Sequence, residues 1–397
     1  MTRHPYVVIL ALGLMVAGYA ILLLGLRGAG IWLLDREGLP ARNDFLAIWT
    51  AGRLALGGMA ADVYDWVALE AEMRRAGVPT PEGLPPLGWM YPPGFLLVAA
   101  ILAIAPWTWS FLAWQGMTIA MLCATQAMIA RDQRGLAILL GVATPCALLC
   151  VVQGQTGFLS AALLGSGLFW LDRKPALAGA LLGLATFKPH IGFVVPLLLV
   201  ATGRWKVLLF GGLAACAFAA AAALILGMPA WVAFLGSLHG SSVRFLMADG
   251  FRVPLQSIHS TMLDIGADRS VAGLAHGGVA LAALLGALKI WRDPGSDEGL
   301  RGASALGAAY LATPYALPHD SVALAVAAGF LLRHARWDVL TPTDRSLLLL
   351  AVIVVPAGSL LSRASFPTPA AWLTMLGLTL WLYLRLRRFP GAWPSRP

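Results

Sequence analysis

The chain is expected to be an all-α, polytopic membrane protein, and three observations lead there. Hydrophobic residues make up 59% of its 397 positions and charged residues only 12%, too few charges to clothe a water-facing surface. Charge-free runs extend from Gly83 to Ala130, Gly135 to Leu171 and Val207 to Val243, and about 20 apolar residues suffice for one transmembrane helix. In hydrocarbon only helices and closed barrels satisfy every backbone N–H and C=O. The continuous Leu, Ala, Val and Ile runs lack the alternation of a barrel, so helices are expected.

The elements follow in order. Pro5 to Leu26, with only Arg3 and His4 ahead of it and no small-residue cleavage site behind, reads as an uncleaved first span rather than a signal peptide. Basic groups at Arg131/Arg134, Arg173/Lys174, Arg204/Lys206, Lys289/Arg292, Arg333/Arg336 and Arg385/Arg387/Arg388 mark cytoplasmic loops. Between them, Gly135–Leu171, Gly302–Leu332, and Ser346–Ser362 with Ala364–Leu384 read as hairpins. Val207–Leu226 and Val271–Leu288 read as a further pair around a long external loop, residues 227–270. Pro175–Gly203 is short for two crossings and is interrupted at Lys188-Pro189-His190, as discontinuous helices around a binding site are. Parity requires either that Gly94–Ala105 dips into the outer leaflet while Ser110–Ala130 crosses, or that Gly94–Ala105 crosses fully. The first reading gives a single domain over 1–397 with roughly 12 crossings, both ends cytoplasmic, and residues 27–93 as the first extracytoplasmic loop.

Several function classes are excluded by composition. The net charge of +9 is spread over short loops on one side, which suits membrane orientation and not nucleic acid. Cys123, Cys146, Cys150 and Cys216 fall in apolar runs and read as small buried hydrophobes. With no HExxH or CxxC, no metal site is expected, and no cofactor.

The topology gathers the polar residues at the external helix ends. In RNDFLAIWTAGRLALGGMAADVYD, residues 42–65, the spacing of Phe45, Ile48, Trp49 and Leu56 predicts an amphipathic helix lying at the interface. Asn43 is placed to cap it, leaving Asp44 free as a general base on a hydroxyl, although Asp44 could equally be the cap. Trp89 and Tyr91, ahead of Pro92-Pro93, are assigned to an interfacial aromatic belt. Gln153 and Gln155 flank a glycine at a hairpin tip and offer the donors and acceptors that suit sugar hydroxyls. Lys188 and His190 straddle Pro189 at the helix break, where a cation could hold a phosphate, or where Lys188 could snorkel to the interface. His319 and Asp320 follow two prolines in TPYALPHD; Asp320 can cap the next helix. Arg244, Arg252 and Gln256 belong to the long external loop and are polar enough to meet a substrate.

The order of these pieces, NDF, AGRLALGG, VYD, YPPGF, QGQTGFL, AGALLGLATFKPHIGFVVPLLL with RWK, VPLQS and TPYALPHD, resembles glycosyltransferase family 87, which includes polyprenol-phosphate-mannose-dependent mannosyltransferases. The resemblance covers roughly residues 40 to 325. It implies a glycosyltransferase C-type helical bundle in the cell inner (plasma) membrane, with an extracytoplasmic active site. It further implies a polyprenyl-phosphate-sugar donor and a lipid or glycan acceptor. Asp44 falls at the family's acidic catalytic residue, Lys188-Pro189 at its lysine-proline pair, and His319 in its late external motif, where Asp320 replaces the usual histidine or aromatic neighbour.

On that basis Asp44 is the catalytic residue, and Lys188, His319, Arg244 and Arg252 bind the donor phosphate. Asn43, Gln153, Gln155, His190, Gln256 and Asp320 contact sugar or acceptor. One base and direct attack imply inversion, whereas glycoside hydrolysis would want a facing pair of carboxylates. The rival is a transporter of a lipid or small anion, since broken helices and intramembrane charges occur there too; against it, no internal repeat is evident and the polar residues gather at one face.

Overall fold

The structure, a computed structural model, describes residues 5–78, 87–247 and 255–354, without the side chains of 239–247. Among the described residues it is helical, and extended chain is reduced to one antiparallel bridge between Leu34 and Pro40. In chain order the helices are α1 (Tyr6–Gly28), α2 (Asp44–Leu56), α3 (Trp66–Arg75), α4 (Pro93–Ala103), α5 (Trp107–Ile129), α6 (Arg134–Val142), α7 (Pro145–Gln153), α8 (Gly157–Trp170) and α9 (Pro175–Leu184). They continue with α10 (Pro189–Gly192), α11 (Val194–Ala201), α12 (Trp205–Leu226), α13 (Met228–Met247), α14 (Ile258–Asp264), α15 (Arg269–Arg292), α16 (Glu298–Ala312), α17 (Val322–His334) and α18 (Pro342–Leu349).

Four helices, α1, α5, α12 and α15, are long and apolar enough to cross a membrane, or five if the pair 131–142 and 145–153, bent by 58°, counts as one span. The dozen expected crossings are therefore not reached among the described residues. Proline explains part of the shortfall: Pro145 starts a new helix within a stretch expected to run on, and Pro189 starts one at the expected break. The hairpin expected over Ser346–Ser362 and Ala364–Leu384 lies mostly outside the described residues.

The structure adds detail to three local expectations. The helix expected at the membrane interface, α2, is buried on nearly every side, with only Arg53 and Leu56 exposed. It packs against α4 closely enough that a Cβ on Gly52 would sit 2.0 Å from the Ala99 carbonyl oxygen. Residues 227–270, expected as a loop, carry the 20-residue α13 and the short α14. Instead of pairing with each other, α12 packs mainly on α9 and α15 on α16. Gly179 and Gly183 allow the first of these contacts, since a Cβ there would meet α12 backbone oxygens at 2.5 and 2.4 Å. The stretch expected to dip into the outer leaflet is α4; its 11 residues span about 16 Å, short of a roughly 30 Å hydrocarbon core.

Among the described residues the basic loops share one end of the bundle; Arg385, Arg387 and Arg388 lie outside those residues. Arg173 and Arg333 both reach Glu298, at 3.0 and 2.7 Å. Asp172 pairs with Arg204 and with Arg301, the latter at 2.7 Å, and His334 with Asp297 at 2.9 Å. Gln133 donates to the Leu332 carbonyl, and Arg292 to that of Ala201. This charged rim thus joins the ends of α5, α8, α11, α15 and α17 to the start of α16. From it, α8 and α17 run toward the other polar assembly of the chain.

Candidate active site

Five segments meet at the opposite ends of α8 and α17. The break expected between α9 and α10 is present: a 3-10 turn, Ala185–Phe187, follows α9, and Lys188 leaves helical geometry at φ −131°, ψ 70° before Pro189 opens α10. The 313–321 connection between α16 and α17 closes with a 3-10 turn, Pro318–Ser321, in which Asp320 Oδ2 accepts the Leu317 N–H at 3.1 Å. Lys188 reaches across to this turn. Its ammonium lies 2.5 Å from Asp320 Oδ1, 3.3 Å from His319 Nε2 and 3.3 Å from the Thr156 hydroxyl.

All three side chains are enclosed: Lys188 is 5% exposed, His319 4% and Asp320 2%. Asp320 thus spends one carboxylate oxygen on the Lys188 ammonium and the other on the Leu317 N–H. An ammonium only donates, so Nε2 of His319 carries a lone pair and the proton sits on Nδ1. Lys188 therefore does not snorkel; its charge is spent within the cluster, on the residue that stands where a histidine or aromatic was expected.

The second half of the site is built on α2 and the turn after α7. Gly154 caps α7 in the left-handed region, φ +68°, where a Cβ would lie 2.4 Å from Phe45 Cβ. Its carbonyl accepts from Trp114 Nε1 at 3.0 Å. The turn is thus pressed against the first turn of α2. Asn43 caps α2, accepting from the Leu46 N–H, as expected. Asp44 is not left free, however: Gln155 Nε2 donates to its Oδ2 at 2.7 Å. The Asn43 Nδ2 group is buried and makes no hydrogen bond.

Tyr91 connects the halves. Its carbonyl accepts from Tyr64 at 3.0 Å and from Trp89 Nε1 at 2.9 Å, and its ring packs on Phe95 and Phe187, with centroids 4.8 and 6.2 Å away. Its hydroxyl then lies 3.4 Å from Gln155 Oε1 and 3.3 Å from Thr156 Oγ1. Trp89, expected in an interfacial belt, is fully buried and stacks on Phe95. Tyr91 and Thr156 are site residues that pattern reasoning missed, although both stand inside the motifs YPPGF and QGQTGFL. The signal available was their position beside residues already singled out.

Other candidates are more peripheral. Gln153 ends α7 half-buried. His190 Nε2 lies 3.9 Å from Asp320 Oδ2, too far for a hydrogen bond, and its ring faces Tyr315 at 6.4 Å. The Gln256 N–H donates to the Ala316 carbonyl at 2.6 Å, tying the start of α14 to the 313–321 connection. Arg244 falls in α13, and Arg252 lies outside the described residues. Among the described residues no cluster of three or more histidine, cysteine or acidic side chains could hold a metal.

The family model for glycosyltransferase family 87 matches residues 89–314. That interval holds Tyr91, Gln155, Thr156 and Lys188, and ends just before His319 and Asp320. No curated protein and no solved structure matches the chain.

Proposed function

We propose, from the premise that this membrane protein belongs to glycosyltransferase family 87, that it is an inverting transferase which moves a hexose, mannose in the first instance, from a polyprenyl-phosphate donor to a lipid or glycan hydroxyl. The chain is read as one multi-pass domain of the glycosyltransferase C type in the cell inner membrane, with the site on the extracytoplasmic face. The observation that carries the reading is the different condition of the two carboxylates in the cluster. Asp320 is enclosed and held by Lys188 and the Leu317 N–H. Asp44 is half-buried at the edge of the site, beside the unsatisfied amide of Asn43. One enclosed counter-ion and one accessible carboxylate make a poor glycosidase pair and a suitable single base.

In the proposed reaction Asp44 takes the proton of the acceptor hydroxyl as its oxygen attacks the anomeric carbon. The bond from that carbon to the phosphate oxygen breaks, and polyprenyl phosphate departs with the electron pair, inverting the sugar centre. Asn43 Nδ2 is assigned to an acceptor or sugar hydroxyl, and Gln153, His190 and Gln256 are assigned to the same ligands. Because Asp320 neutralises Lys188 and His319 is uncharged, the Lys188–His319 side would orient the phosphate while Arg244 and Arg252 supply surplus positive charge.

Purified protein given a radiolabelled polyprenyl-phosphate-mannose and a crude lipid acceptor is expected to release polyprenyl phosphate; intact donor would return the chain to the transporter reading. Asp44→Asn keeps the size of the side chain but not its basicity. Loss of a general base costs roughly 100- to 10,000-fold in the chemical step, so single-turnover rates of D44N at saturating substrates should fall by that much. A rate within about threefold of the parent, far short of that loss, removes Asp44 as the base.

A further inference from the structure

Resting on the assignment of Asp44 as base, we propose that Gln155, Tyr91 and Thr156 are positioning residues: an oriented hydrogen-bond chain that runs from the Lys188 ammonium to the Asp44 carboxylate and fixes the base.

The chain has one consistent direction. Lys188 can only donate, so Thr156 Oγ1 accepts from it, at 3.3 Å. Ionised Asp44 can only accept, so the amide nitrogen of Gln155 must face it, at 2.7 Å. That orientation turns Gln155 Oε1 toward Tyr91 and toward the Thr156 N–H, at 3.4 and 3.3 Å, and both are donors. An amide oxygen cannot donate, so the single Tyr91 proton goes to Gln155. The Thr156 proton is then the one between the two hydroxyls, 3.3 Å apart. Every hydroxyl gives one hydrogen bond and receives one, from ammonium through two hydroxyls and an amide to carboxylate.

Rigid backbone holds each link. Tyr91 is pinned through its carbonyl by Tyr64 and Trp89, Gln155 follows the clamped Gly154, and Thr156 begins α8 without spending its side chain on a cap. The hydroxyl of Thr156 is thus available to the chain, and its loss removes no helix cap.

The test compares Thr156→Val, Tyr91→Phe, their double variant and Thr156→Ser, with D44N alongside. A misplaced catalytic group typically costs tens to a hundredfold, so T156V and Y91F are each expected to lower kcat by about tenfold or more, with donor KM within about twofold because no donor contact is removed. Thr156→Ser, which retains the hydroxyl, recovers most of what Thr156→Val loses. Since either break opens the same chain, the double variant should fall no more than about twofold below the worse single; losses that multiply would mean independent roles and overturn the chain. It is also overturned if Y91F turns over at the parent rate, or if T156S is as impaired as T156V. D44N at the parent rate sinks the base and the chain together, whereas an inactive D44N beside fully active Y91F sinks only the chain.

Discussion

Lys188 and Asp320 carry the largest energetic stake of any two residues at the site. Taken from sequence alone, Lys188→Met would be a mild change that removes a charge and keeps the apolar stem. The structure reverses that expectation, because the substitution strands an enclosed carboxylate. Removing one partner of a buried pair costs about 3–5 kcal/mol, while replacing both is often neutral. Thermal melting in detergent should therefore show K188M strongly destabilised and K188M/D320N largely restored, the asparagine still offering an oxygen to the Leu317 N–H; a double variant no better than K188M would discount the pair. The ionisable residues were legible in sequence because charges are rare in apolar runs. Their pairing was not, since Lys188 and Asp320 lie 132 positions apart.

Among the elements, α8 shows why the glycine of QGQTGFL matters. A Cβ on Gly157 would sit 2.2 Å from the His319 carbonyl oxygen and 2.7 Å from Cys150 Sγ. The start of α8 can therefore approach the 313–321 connection only without a side chain. Gly157→Ala is expected to cost about 1–3 kcal/mol through overpacking and to displace His319, lowering melting temperature and kcat together. Gly236→Ala, on an open face of α13 with nothing within 4 Å of the added carbon, should leave both near the parent, and equal behaviour of the two variants would dismiss the contact. The break at Lys188-Pro189 was legible because proline ends helices by a local mechanism. The burial of α2 was not: Phe45, Ile48 and Trp49 announce an apolar face, but the partner for the remaining sides is α4, admitted by Gly52.

At the scale of the molecule, the charged rim gathers basic loops that the sequence already set apart, because the rule that sorts them depends on charge and loop length alone. Helix count was less legible, since composition marks apolar runs without saying where proline divides them. Glu37→Cys and Gly135→Cys, in a background lacking the four native cysteines, test the proposed orientation. An impermeant thiol reagent applied to intact cells should label the first, exposed in the segment after α1, and spare the second, beside the rim on α6; the reverse pattern would invert the molecule in the membrane. The rim also fixes a distance to the proposed site. The 14 residues of α8 and the 13 of α17 span about 21 and 20 Å, so the Lys188–Asp320 pair stands a helix length from the charged rim. The enclosure of Lys188, His319 and Asp320 keeps water from that side of the proposed site, and a reactive sugar ester held there would meet fewer competing nucleophiles than at an open surface, which favours transfer over wasteful hydrolysis.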